Sequence, residues 1–387
     1  MRILIIHRSF ALVGGAERVI IDKANYLASK GHEVRLVSYE QGAHHVPYQL
    51  NDSVRMTDLD CRFFTLSRYS VFKRFIFFYR LKGKFRKSLR ALVRKFNPNT
   101  IVLASDWQFL IKDVLYASLE IPVIAEFHNA YDFIVKKIGN TSDGFVVKLT
   151  RLYYKHFLNS FGECACLVAL TENDACHWRR HSEHVVVIPN PVTSYPDTVD
   201  DVPKEEGKIL CVGRLNGQKR IDRLVTAFSI IADKYPKWHV DVFGEGDLRD
   251  SLNAQIEKCH LEGRFVLHEP TNKIFEEYKR SQMLVLSSEY EGRPLVLIEA
   301  MACGTPCVSF DCPSGPREII EDGVTGLLVR NGDVKELASK MEWLILHNEE
   351  RKEMGFKARN AAVMYKPDVI MEKWERLYTQ YTKSNSR

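Results

Sequence analysis

KILCVGRLNGQKRIDRLVTAFSIIADKYPKWHVDVFGEG, residues 208–246, is the stretch that decides the fold. Two short, continuous apolar runs, KILCVG and HVDVFG, flank a segment whose apolar residues have helical spacing. A continuous apolar run is typical of a parallel strand that helices cover on both faces. The order strand, helix, strand therefore predicts one βαβ unit of an α/β fold.

The same unit recurs along the chain in two groups. The first group of apolar runs is RILII, EVRLVSY, TIVLA, PVIAEFH, CLVALT and VVVIP, and the second is KILCVG, HVDVFG, FVLHE, MLVLSS, PCVSF and GLLV. Between them, NPVTSYPDTVDDVPKEEG is rich in Pro, Asp and Glu and lacks periodicity, which predicts a linker. We expect two Rossmann-like, doubly wound domains at residues 1–190 and 207–365, joined by a linker at 191–206, with the cleft between them as the default ligand site. Residues 366–387 are predicted to form an amphipathic helix that could pack back on the first domain.

The composition fits a two-domain protein that does not cross a membrane. The chain has 387 residues, 45% of them hydrophobic, but no run approaches the roughly 18 apolar residues of a membrane span. Its opening, MRILIIHRSF, lacks a cleavage-like site and is predicted to be a first strand rather than a signal peptide. The nine cysteines are scattered, and the closest group, Cys303, Cys307 and Cys312, lies beside no histidine. We therefore expect reduced, buried thiols in a cytoplasmic protein and no metal site.

Two carboxylates bracket an apolar run in EGRPLVLIEAMACG, residues 291–304. Glu291 is predicted in the loop after the strand MLVLSS, and Glu299 about a turn and a half into the next helix, because Pro294 suits a first helical turn. Open α/β sheets bind ligands at this edge, and carboxylates accept hydrogen bonds from sugar or ribose hydroxyls. The pair also fits a solvated loop residue and a helix residue in a local ion pair, so both interpretations stay open.

A second group of candidates follows the run KILCVG. Arg214 ends that strand and Lys219 precedes the next helix, and two cations beside a helix N-terminus can bind an anion such as a diphosphate. Two unrelated surface cations would give the same pattern. Gly244, in VFGEGDL, marks another strand-to-turn junction, which is weak evidence because such turns occur in any βαβ unit.

The first domain offers two further candidates. Gly14 and Gly15 lie between the first strand and the first helix, where glycine lets the backbone approach a ligand closely. Their spacing departs from the G-x-G-x-x-G fingerprint, which argues against a dinucleotide site. His128 ends the run PVIAEFH and is predicted on the cleft side, although a single histidine is more often structural.

Together these motifs resemble the retaining glycosyltransferases of family 4, which have the GT-B fold. The resemblance rests on VGRLNGQKRIDRLVTAF, EGRPLVLIEAMACGTPCV and GVTGLLV in the second half, and on GGAERV, GHEV and IPNPV in the first. Its most specific part is the E-x7-E pair of Glu291 and Glu299. Two positions depart from the family pattern: Arg293 stands where an aromatic or small apolar residue is common, and Arg220 where glycine is usual. We expect Arg293 to affect the choice of donor or acceptor.

The resemblance implies a role for each motif residue. Arg214 and Lys219 would hold the diphosphate of a nucleotide-sugar donor, Glu299 its ribose, and Glu291 hydroxyls of its sugar, while His128 would lie beside the transferred sugar. The implied catalytic residues are Glu291 and His128, and the implied donor-binding residues are Arg214, Lys219, Glu299, Gly14, Gly15, Gly292, Arg293, Pro294, Leu295 and Gly244. No metal or other cofactor is implied, because fixed cations and helix dipoles would stabilise the departing nucleotide diphosphate.

The implied reaction moves a hexose, with retention at the anomeric carbon, to a glycan or polyprenyl-diphosphate-linked acceptor, as in bacterial surface polysaccharide assembly. The segment DCPSGPREII, residues 311–320, resembles members that use UDP-galactose or UDP-N-acetylgalactosamine. We therefore expect a UDP-linked donor of the galactose, N-acetylgalactosamine or glucose type. A nucleotide-sugar epimerase on the same scaffold and a non-catalytic nucleotide-sugar-binding subunit are the alternatives; a pyridoxal-type phosphorylase would need a Schiff-base lysine and is usually much longer.

The positive net charge of +6 is concentrated in one segment. Residues 62–95 contain twelve Lys or Arg, nine aromatic residues and no Asp or Glu. Anionic lipid attracts cations and the membrane interface attracts aromatic rings, so we expect this segment to hold the protein peripherally at the inner face of the plasma membrane. A pair of amphipathic helices with solvated cations is the alternative. Nucleic acid is not expected as a partner, because no recognised nucleic-acid-binding module accompanies the charge.

Overall fold

The chain forms two compact units. The computed structural model describes residues 1–11, 14–104, 110–128, 131, 157–199, 201–313 and 315–384. Contacts within the chain define one unit of Met1–Pro189 with Ile370–Arg387 and a second unit of Asn190–Val369. By these contacts the segment expected to be a linker belongs to the second unit, and the end of the chain to the first.

The first unit is built on a seven-stranded parallel sheet with the strand order β3-β2-β1-β4-β5-β6-β7. Six of its strands are the apolar runs of the first group, as predicted. The remaining strand, β3, lies at the edge of the sheet and has the sequence RMTD, which carries no apolar run. The strands are β1 (Arg2–Ile6), β2 (Glu33–Ser38), β3 (Arg55–Asp58), β4 (Thr100–Leu103), β5 (Val123–Glu126), β6 (Cys166–Ala169) and β7 (Val185–Val187).

The second unit is built on a six-stranded parallel sheet with the order β10-β9-β8-β11-β12-β13. All six strands coincide with the apolar runs of the second group, because each is covered by helices on both faces. The direction in which strands are added reverses between β8 and β11. The strands are β8 (Lys208–Val212), β9 (His239–Phe243), β10 (Phe265–His268), β11 (Met283–Leu286), β12 (Cys307–Asp311) and β13 (Gly326–Arg330).

Helices connect the strands of both units. Within the described residues they are α1 (Gly15–Ser29), α2 (Val71–Phe96), α3 (Ile111–Ala117), α4 (Glu172–Trp178), α5 (Ile221–Ile231), α6 (Arg249–Lys258), α7 (Ile274–Arg280), α8 (Leu295–Ala302), α9 (Val334–Leu346), α10 (Asn348–Ala362) and α11 (Pro367–Ser384).

The core of the first unit consists of two layers, one on each face of its sheet. Alternate residues of β1 point to opposite faces, as the pleat of a strand requires. Ile3 and Ile5 pack with residues of α1 and α11, including Trp374, whereas Leu4 and Ile6 pack with residues of α2 and α4. The predicted C-terminal helix is present, and its apolar stripe is buried in this unit.

Helix α2 changes character along its length. Its second half is amphipathic and buries Phe85, Leu89, Val93 and Phe96 in the core. Its start exposes several apolar residues instead: Phe72 is 76% exposed and Phe75 is 62% exposed, whereas Phe77 and Phe78 are half-buried. Several cations of the second half are paired within the unit, Lys82 and Arg86 with Asp113 and Lys84 with Asp60.

Most of the cysteines are buried, as the sequence indicates. All nine cysteines are free, and seven are buried, whereas Cys176 is exposed and Cys259 is half-buried. Among the residues that the structure describes, no helix has the length and apolar character needed to cross a membrane, and no cluster of three or more His, Cys, Asp or Glu could hold a metal ion.

Candidate active site

The candidate residues of the second unit lie where the strand order reverses. Neighbouring parallel strands β8 and β11 end side by side at that point, at the carboxyl edge of the sheet, where open α/β sheets bind their ligands. Three hydrogen bonds join the two loops: Glu289 N–H donates to Gln218 O (2.8 Å), Gln218 Nε2 donates to Tyr290 O (3.1 Å), and Ser287 Oγ donates to Lys219 O (2.9 Å). The loop that carries Lys219 is therefore fixed against the loop that carries Glu291.

Lys219 and Glu291 are direct partners. The Lys219 ammonium lies 2.6 Å from Glu291 Oε1, and Ser288 Oγ donates to the same oxygen at 2.6 Å. Glu291 is only 7% exposed, so the lysine neutralises a nearly buried carboxylate. Gly213 makes room for the lysine, because a Cβ there would lie 3.1–3.3 Å from the aliphatic carbons of Lys219.

Arg214 is the cation in this loop that remains available. Its side chain is exposed, and within the described parts of the chain no carboxylate forms an ion pair with it. The loop after β8 thus carries two cations, of which Lys219 is paired with Glu291 and Arg214 is exposed. A planar, bidentate donor such as the Arg214 guanidinium suits phosphate oxygens.

Arg220, the residue that stands where the family usually has glycine, has a left-handed backbone. Its φ is +48°, a region that glycine enters without the steric cost borne by other residues, which explains why glycine is usual there. The guanidinium is held by Asp222, with Nη2 2.8 Å from Oδ2, and by Glu289 at 3.4 Å. Arg220 thus connects the start of α5 to the loop after β11. Among the described residues its ion-pair partners are Asp222 and Glu289, and not Glu291.

Glu299 lies in the second turn of α8, where the sequence placed it. One of its carboxylate oxygens accepts a hydrogen bond from the Thr193 hydroxyl, and the other accepts one from the Tyr278 hydroxyl at 2.9 Å. Burial of Tyr278, together with the negative charge of Glu299, raises the pKa of that hydroxyl well above its ordinary value, so it remains a hydrogen-bond donor. Each carboxylate oxygen has a second lone pair, which a ligand hydroxyl could use.

The backbone between the two glutamates is held by packing that the sequence did not suggest. A Cβ on Gly315 would overlap Gly292 O and lie 2.8 Å from Pro294 Cδ, so the loop depends on glycine at position 315. The Glu291 N–H donates to Pro313 O at 2.7 Å. Helix α8 begins at Leu295, with Pro294 as its N-cap, one residue later than Pro294 in the first turn would have given.

The side chain of Arg293 is directed into the second unit. It is 5% exposed, and its Nη2 donates to the Tyr365 hydroxyl at 2.6 Å and to Glu318 O at 3.2 Å. The guanidinium also lies 5.1 Å from the centre of the Tyr365 ring. These contacts give Arg293 a structural role; the predicted contact of its backbone with a donor stays a prediction.

Gly244 is required by close packing of two strand ends. A Cβ there would overlap Gly213 O, while the Gly213 N–H donates to Phe243 O at 3.1 Å. Gly244 therefore lets the ends of β8 and β9 approach each other, just before the loop that carries Arg214. Whether it also contacts a donor stays a prediction.

In the first unit, Gly14 and Gly15 begin α1. Gly14 is the N-cap and Gly15 the first helical residue, and the Tyr48 hydroxyl bonds both the N–H (3.0 Å) and the carbonyl oxygen (3.1 Å) of Gly14. A Cβ on Gly14 would overlap the Glu17 carboxylate, which lies 3.5 Å from His7 Nε2. Burial would raise the pKa of Glu17, but the contact with His7 and its own backbone N–H outweigh this and leave the pKa lowered. The glycines thus make room for a buried carboxylate at the helix N-terminus.

His128 follows β5 in the first unit. Its side chain is 3% exposed, and Nε2 lies 3.3 Å from Oε1 of Glu126, the last residue of β5. The other oxygen of Glu126 contacts the ammonium group of the buried Lys23. His128 is therefore adjacent to a buried ion pair that the sequence did not suggest.

The structure brings some of the predicted residues together and leaves others apart. Lys219 and Glu291 are in contact, and Arg214 lies on the same loop as Lys219. Gly14, Gly15 and His128 belong to the first unit. Sequence reasoning missed the residues that hold these side chains in place. Four of them lie in stretches quoted above but were not singled out, namely Ser288, Gly315, Glu126 and Thr193, and the others are Tyr278, Tyr48 and Lys23.

Two family models match the chain. The model for Glycosyltransferase Family 4 matches residues 13–194, and the model for Glycosyl transferases group 1 matches residues 198–361. The first covers most of the seven-stranded unit and the second most of the six-stranded unit, including Arg214, Lys219, Glu291 and Glu299.

Relatives of similar length support this assignment. The chain is 27% identical to an uncharacterised glycosyltransferase of Haemophilus influenzae, over 94% of this chain and 95% of the relative. It is 26% identical to the amylovoran biosynthesis glycosyltransferase AmsD of Erwinia amylovora, over 96% and 98%. It is 25% identical, over 95% of each chain, to an α-1,4-N-acetyl-D-galactosaminyltransferase of Campylobacter jejuni whose name specifies a saccharide linked to undecaprenol diphosphate.

Solved structures of low sequence identity share the fold. Sucrose-phosphate synthase of Thermosynechococcus elongatus superposes with a TM-score of 0.79 at 19% identity, covering 99% of this chain and all of that one. HepE of Anabaena, solved in complex with UDP, gives a TM-score of 0.74 at 18% identity, covering 98% and all of that chain. The two parallel sheets are those of the GT-B fold. From its motifs, its two sheets and the two matching models, the chain belongs to the glycosyltransferases of family 4.

Proposed function

We propose that this glycosyltransferase moves a hexose from a UDP-linked donor, with retention at the anomeric carbon, to a glycan or lipid-linked glycan acceptor in surface polysaccharide synthesis. The sugar is of the galactose, N-acetylgalactosamine or glucose type. The observation that carries the proposal is the arrangement at the reversal point of the second sheet, where Lys219 pairs with Glu291 and Arg214 lies exposed on the same loop as Lys219.

The two cations have the chemistry that a departing nucleotide diphosphate requires. Cleavage of the bond between the anomeric carbon and the diphosphate leaves negative charge on the phosphate oxygens, and fixed cations stabilise that charge without reorganisation. Arg214 can meet the diphosphate without leaving another partner. Lys219 reaches it by exchanging the Glu291 carboxylate for a phosphate oxygen.

The same exchange assigns a task to Glu291. Once Lys219 turns to the diphosphate, Glu291 retains the hydrogen bond from Ser288 and can accept a second one from a donor-sugar hydroxyl. Glu299, fixed by Thr193 and Tyr278, holds the ribose hydroxyls with its remaining lone pairs. Gly14 and Gly15 approach the diphosphate with their backbone, Gly244 and residues 292–295 line the donor, and His128 lies beside the sugar.

The relatives guide the choice of donor and acceptor. HepE was solved with UDP, which supports a uridine nucleotide here. The Campylobacter relative acts on an undecaprenol-diphosphate-linked saccharide, and AmsD takes part in amylovoran biosynthesis, which supports a polymeric or lipid-linked glycan acceptor. The acceptor would bind to the first unit.

A lipid-linked acceptor favours a position at the membrane surface, and the first two turns of α2 supply a suitable contact. Between residues 64 and 79, which include the start of α2 and the segment before it, six apolar residues are more than a third exposed: Phe64, Tyr69, Phe72, Phe75, Ile76 and Tyr79. Lys73 and Arg80 lie among them, and within the described residues no acidic side chain pairs with either. We propose that this end of α2, rather than the whole of residues 62–95, rests on an anionic bilayer at the inner face of the plasma membrane.

Thermal unfolding with nucleotides tests the donor site. The protein is heated with UDP, GDP or NAD, and the measurement is repeated on Glu299→Ala and Arg214→Ala; a ligand at 100 times its Kd stabilises by about 2.7 kcal/mol. We expect stabilisation by UDP alone, abolished by Glu299→Ala and clearly reduced by Arg214→Ala, and release of UDP from UDP-hexoses in the presence of acceptor. Stabilisation by GDP alone would overturn the donor assignment, and the absence of any nucleotide effect would overturn the proposed site.

A further inference from the structure

A chain of buried polar groups runs through the first unit to His128. Lys23, on α1, is fully buried, and its ammonium group contacts Glu126 Oε2. Glu126 ends β5 and is 1% exposed, and its Oε1 lies 3.3 Å from His128 Nε2. Residues two apart in extended chain lie on the same side, which is why Glu126 and His128 can meet.

Helix α11 closes the other end of this chain. The Lys23 ammonium lies 3.7 Å from the centre of the Trp374 ring, at a distance typical of a cation–π contact. Tyr378, one turn further along the same helix, is also fully buried, and the charge of Glu126 raises the pKa of its hydroxyl in addition to burial. The C-terminal helix therefore covers the Lys23–Glu126 pair and excludes water from it.

An ion pair in this position is not explained by stability. Taking two charges out of water costs more than their attraction returns in many proteins, and apolar side chains of equal volume often stabilise a core better. Burial lowers the pKa of Lys23, whereas Glu126 opposes that effect. Among the described residues, the charged groups that face the pair and His128 include Glu17 and His7, which contact each other at 3.5 Å.

We propose that Glu126 is a positioning residue for His128, and that Lys23 holds Glu126 in place. A carboxylate at Nε2 favours a proton on that nitrogen and favours the imidazolium, so it sets both the orientation and the charge of the ring. This proposal rests on the proposed function to the extent that His128 acts beside the transferred sugar. The contact itself and its effect on the imidazole are independent of that function.

The decisive variant removes both charges together. Glu126→Gln or Lys23→Met alone leaves an uncompensated buried charge and could prevent folding, whereas Lys23→Met/Glu126→Gln preserves volume and leaves none. Its control is Lys208→Met/Asp241→Asn/Glu277→Gln in the second unit, remote in sequence from His128. It removes a buried cation together with the two carboxylates that lie 2.9 Å and 2.7 Å from it. Thermal unfolding and the UDP effect establish that each variant is folded and retains its donor site.

The first readout is the NMR titration of the His128 imidazole, assigned with His128→Ala. We expect its midpoint to fall by about 1 pH unit in Lys23→Met/Glu126→Gln and to stay unchanged in the control. An unchanged midpoint in the double variant would overturn the proposal. Because this readout needs no transfer activity, it still decides the proposal if the proposed function is wrong.

The second readout is the pH profile of transfer. We expect the double variant to keep its KM for the donor and to lose roughly 10- to 100-fold in kcat. The limb of the pH profile that depends on the His128 imidazolium should shift to lower pH. Wild-type kcat with a wild-type profile would mean that the pair is only structural. Full activity in His128→Ala would show that His128 has no part in the proposed function. The NMR titration would still decide whether Glu126 positions His128.

Discussion

The Lys219 ammonium group lies 2.6 Å from Glu291 Oε1, although the two residues belong to loops that follow different strands. The family resemblance assigns these residues to different parts of the donor, the diphosphate and the sugar. The structure shows that each is also the partner of the other. A diphosphate that binds Lys219 must compete with Glu291, so a substitution of either residue changes the interactions of both.

This relationship predicts different effects for the two single substitutions. Lys219→Met leaves the nearly buried Glu291 carboxylate without its cation, and we expect it to cost about 2 kcal/mol of unfolding free energy and to abolish stabilisation by UDP. Glu291→Gln keeps a neutral acceptor for Ser288 and Lys219, so we expect it to retain UDP binding and lose transfer activity. Denaturant unfolding with and without UDP measures both effects. A stable Lys219→Met protein that still binds UDP would contradict the assignment.

Arg214→Ala should weaken donor binding without destabilising the fold. Its side chain is exposed and forms no ion pair with any carboxylate of the described residues, so the unfolding free energy should change by less than about 0.5 kcal/mol. Loss of a bidentate contact to phosphate should weaken UDP binding roughly tenfold, measured by calorimetry. Arg330→Ala, at an exposed arginine of the opposite edge strand β13, is the control and should leave UDP affinity unchanged. Equal effects of the two substitutions would remove Arg214 from the site.

Arg293→Met tests whether the unusual arginine selects the donor or supports the fold. Because its side chain is 5% exposed and bonded to Tyr365 and Glu318, we expect a loss of about 2–4 kcal/mol in denaturant unfolding. Competition among UDP-hexoses should give the same order of preference as the wild type. A protein of normal stability with a new donor preference would show that Arg293 acts on the ligand.

The structure shows how much of the molecule could be predicted from the sequence. Of the thirteen strands in the described part of the chain, twelve are recognisable as continuous apolar runs because helices cover both sheet faces, whereas β3 is an edge strand with exposed residues and lacks that signal. The loop position of Glu291 and the helix position of Glu299 followed from strand and turn patterns. The pairing of Lys219 with Glu291 spans 72 residues and depends on strand order, which local patterns do not contain. The same separation hides the contact of Arg293 with Tyr365.

Gly315→Ala should disturb the loop after Glu291. The added Cβ would overlap Gly292 O and press on Pro294, so the loop must shift or the neighbouring segment must move. We expect a cost of about 1–3 kcal/mol in unfolding free energy and a KM for the donor raised several-fold. Gly83→Ala is the control: no heavy atom lies within 4 Å of a Cβ there, and in the middle of α2 it should stabilise by about 0.5–1 kcal/mol. An unchanged KM in Gly315→Ala would show that this loop does not contact the donor.

The exposed start of α2 predicts where the protein meets a membrane. Phe72 and Phe75 are 76% and 62% exposed, and Lys73 lies between them. We expect Phe72→Ser/Phe75→Ser to weaken binding to vesicles that contain phosphatidylglycerol by about tenfold, because aromatic rings favour the interface.

The charge contribution is separable from the aromatic one in the same assay. Lys73→Glu should reduce binding to the anionic vesicles, since each cation near the surface contributes about 1 kcal/mol, and high salt should reduce wild-type binding in the same way. Phe356→Ser is the matched control, because Phe356 is 67% exposed on α10 of the second unit. If it weakened binding as much as the α2 substitutions, the contact would be nonspecific. If the α2 substitutions had no effect in co-sedimentation, the exposed end of α2 would not be the membrane contact.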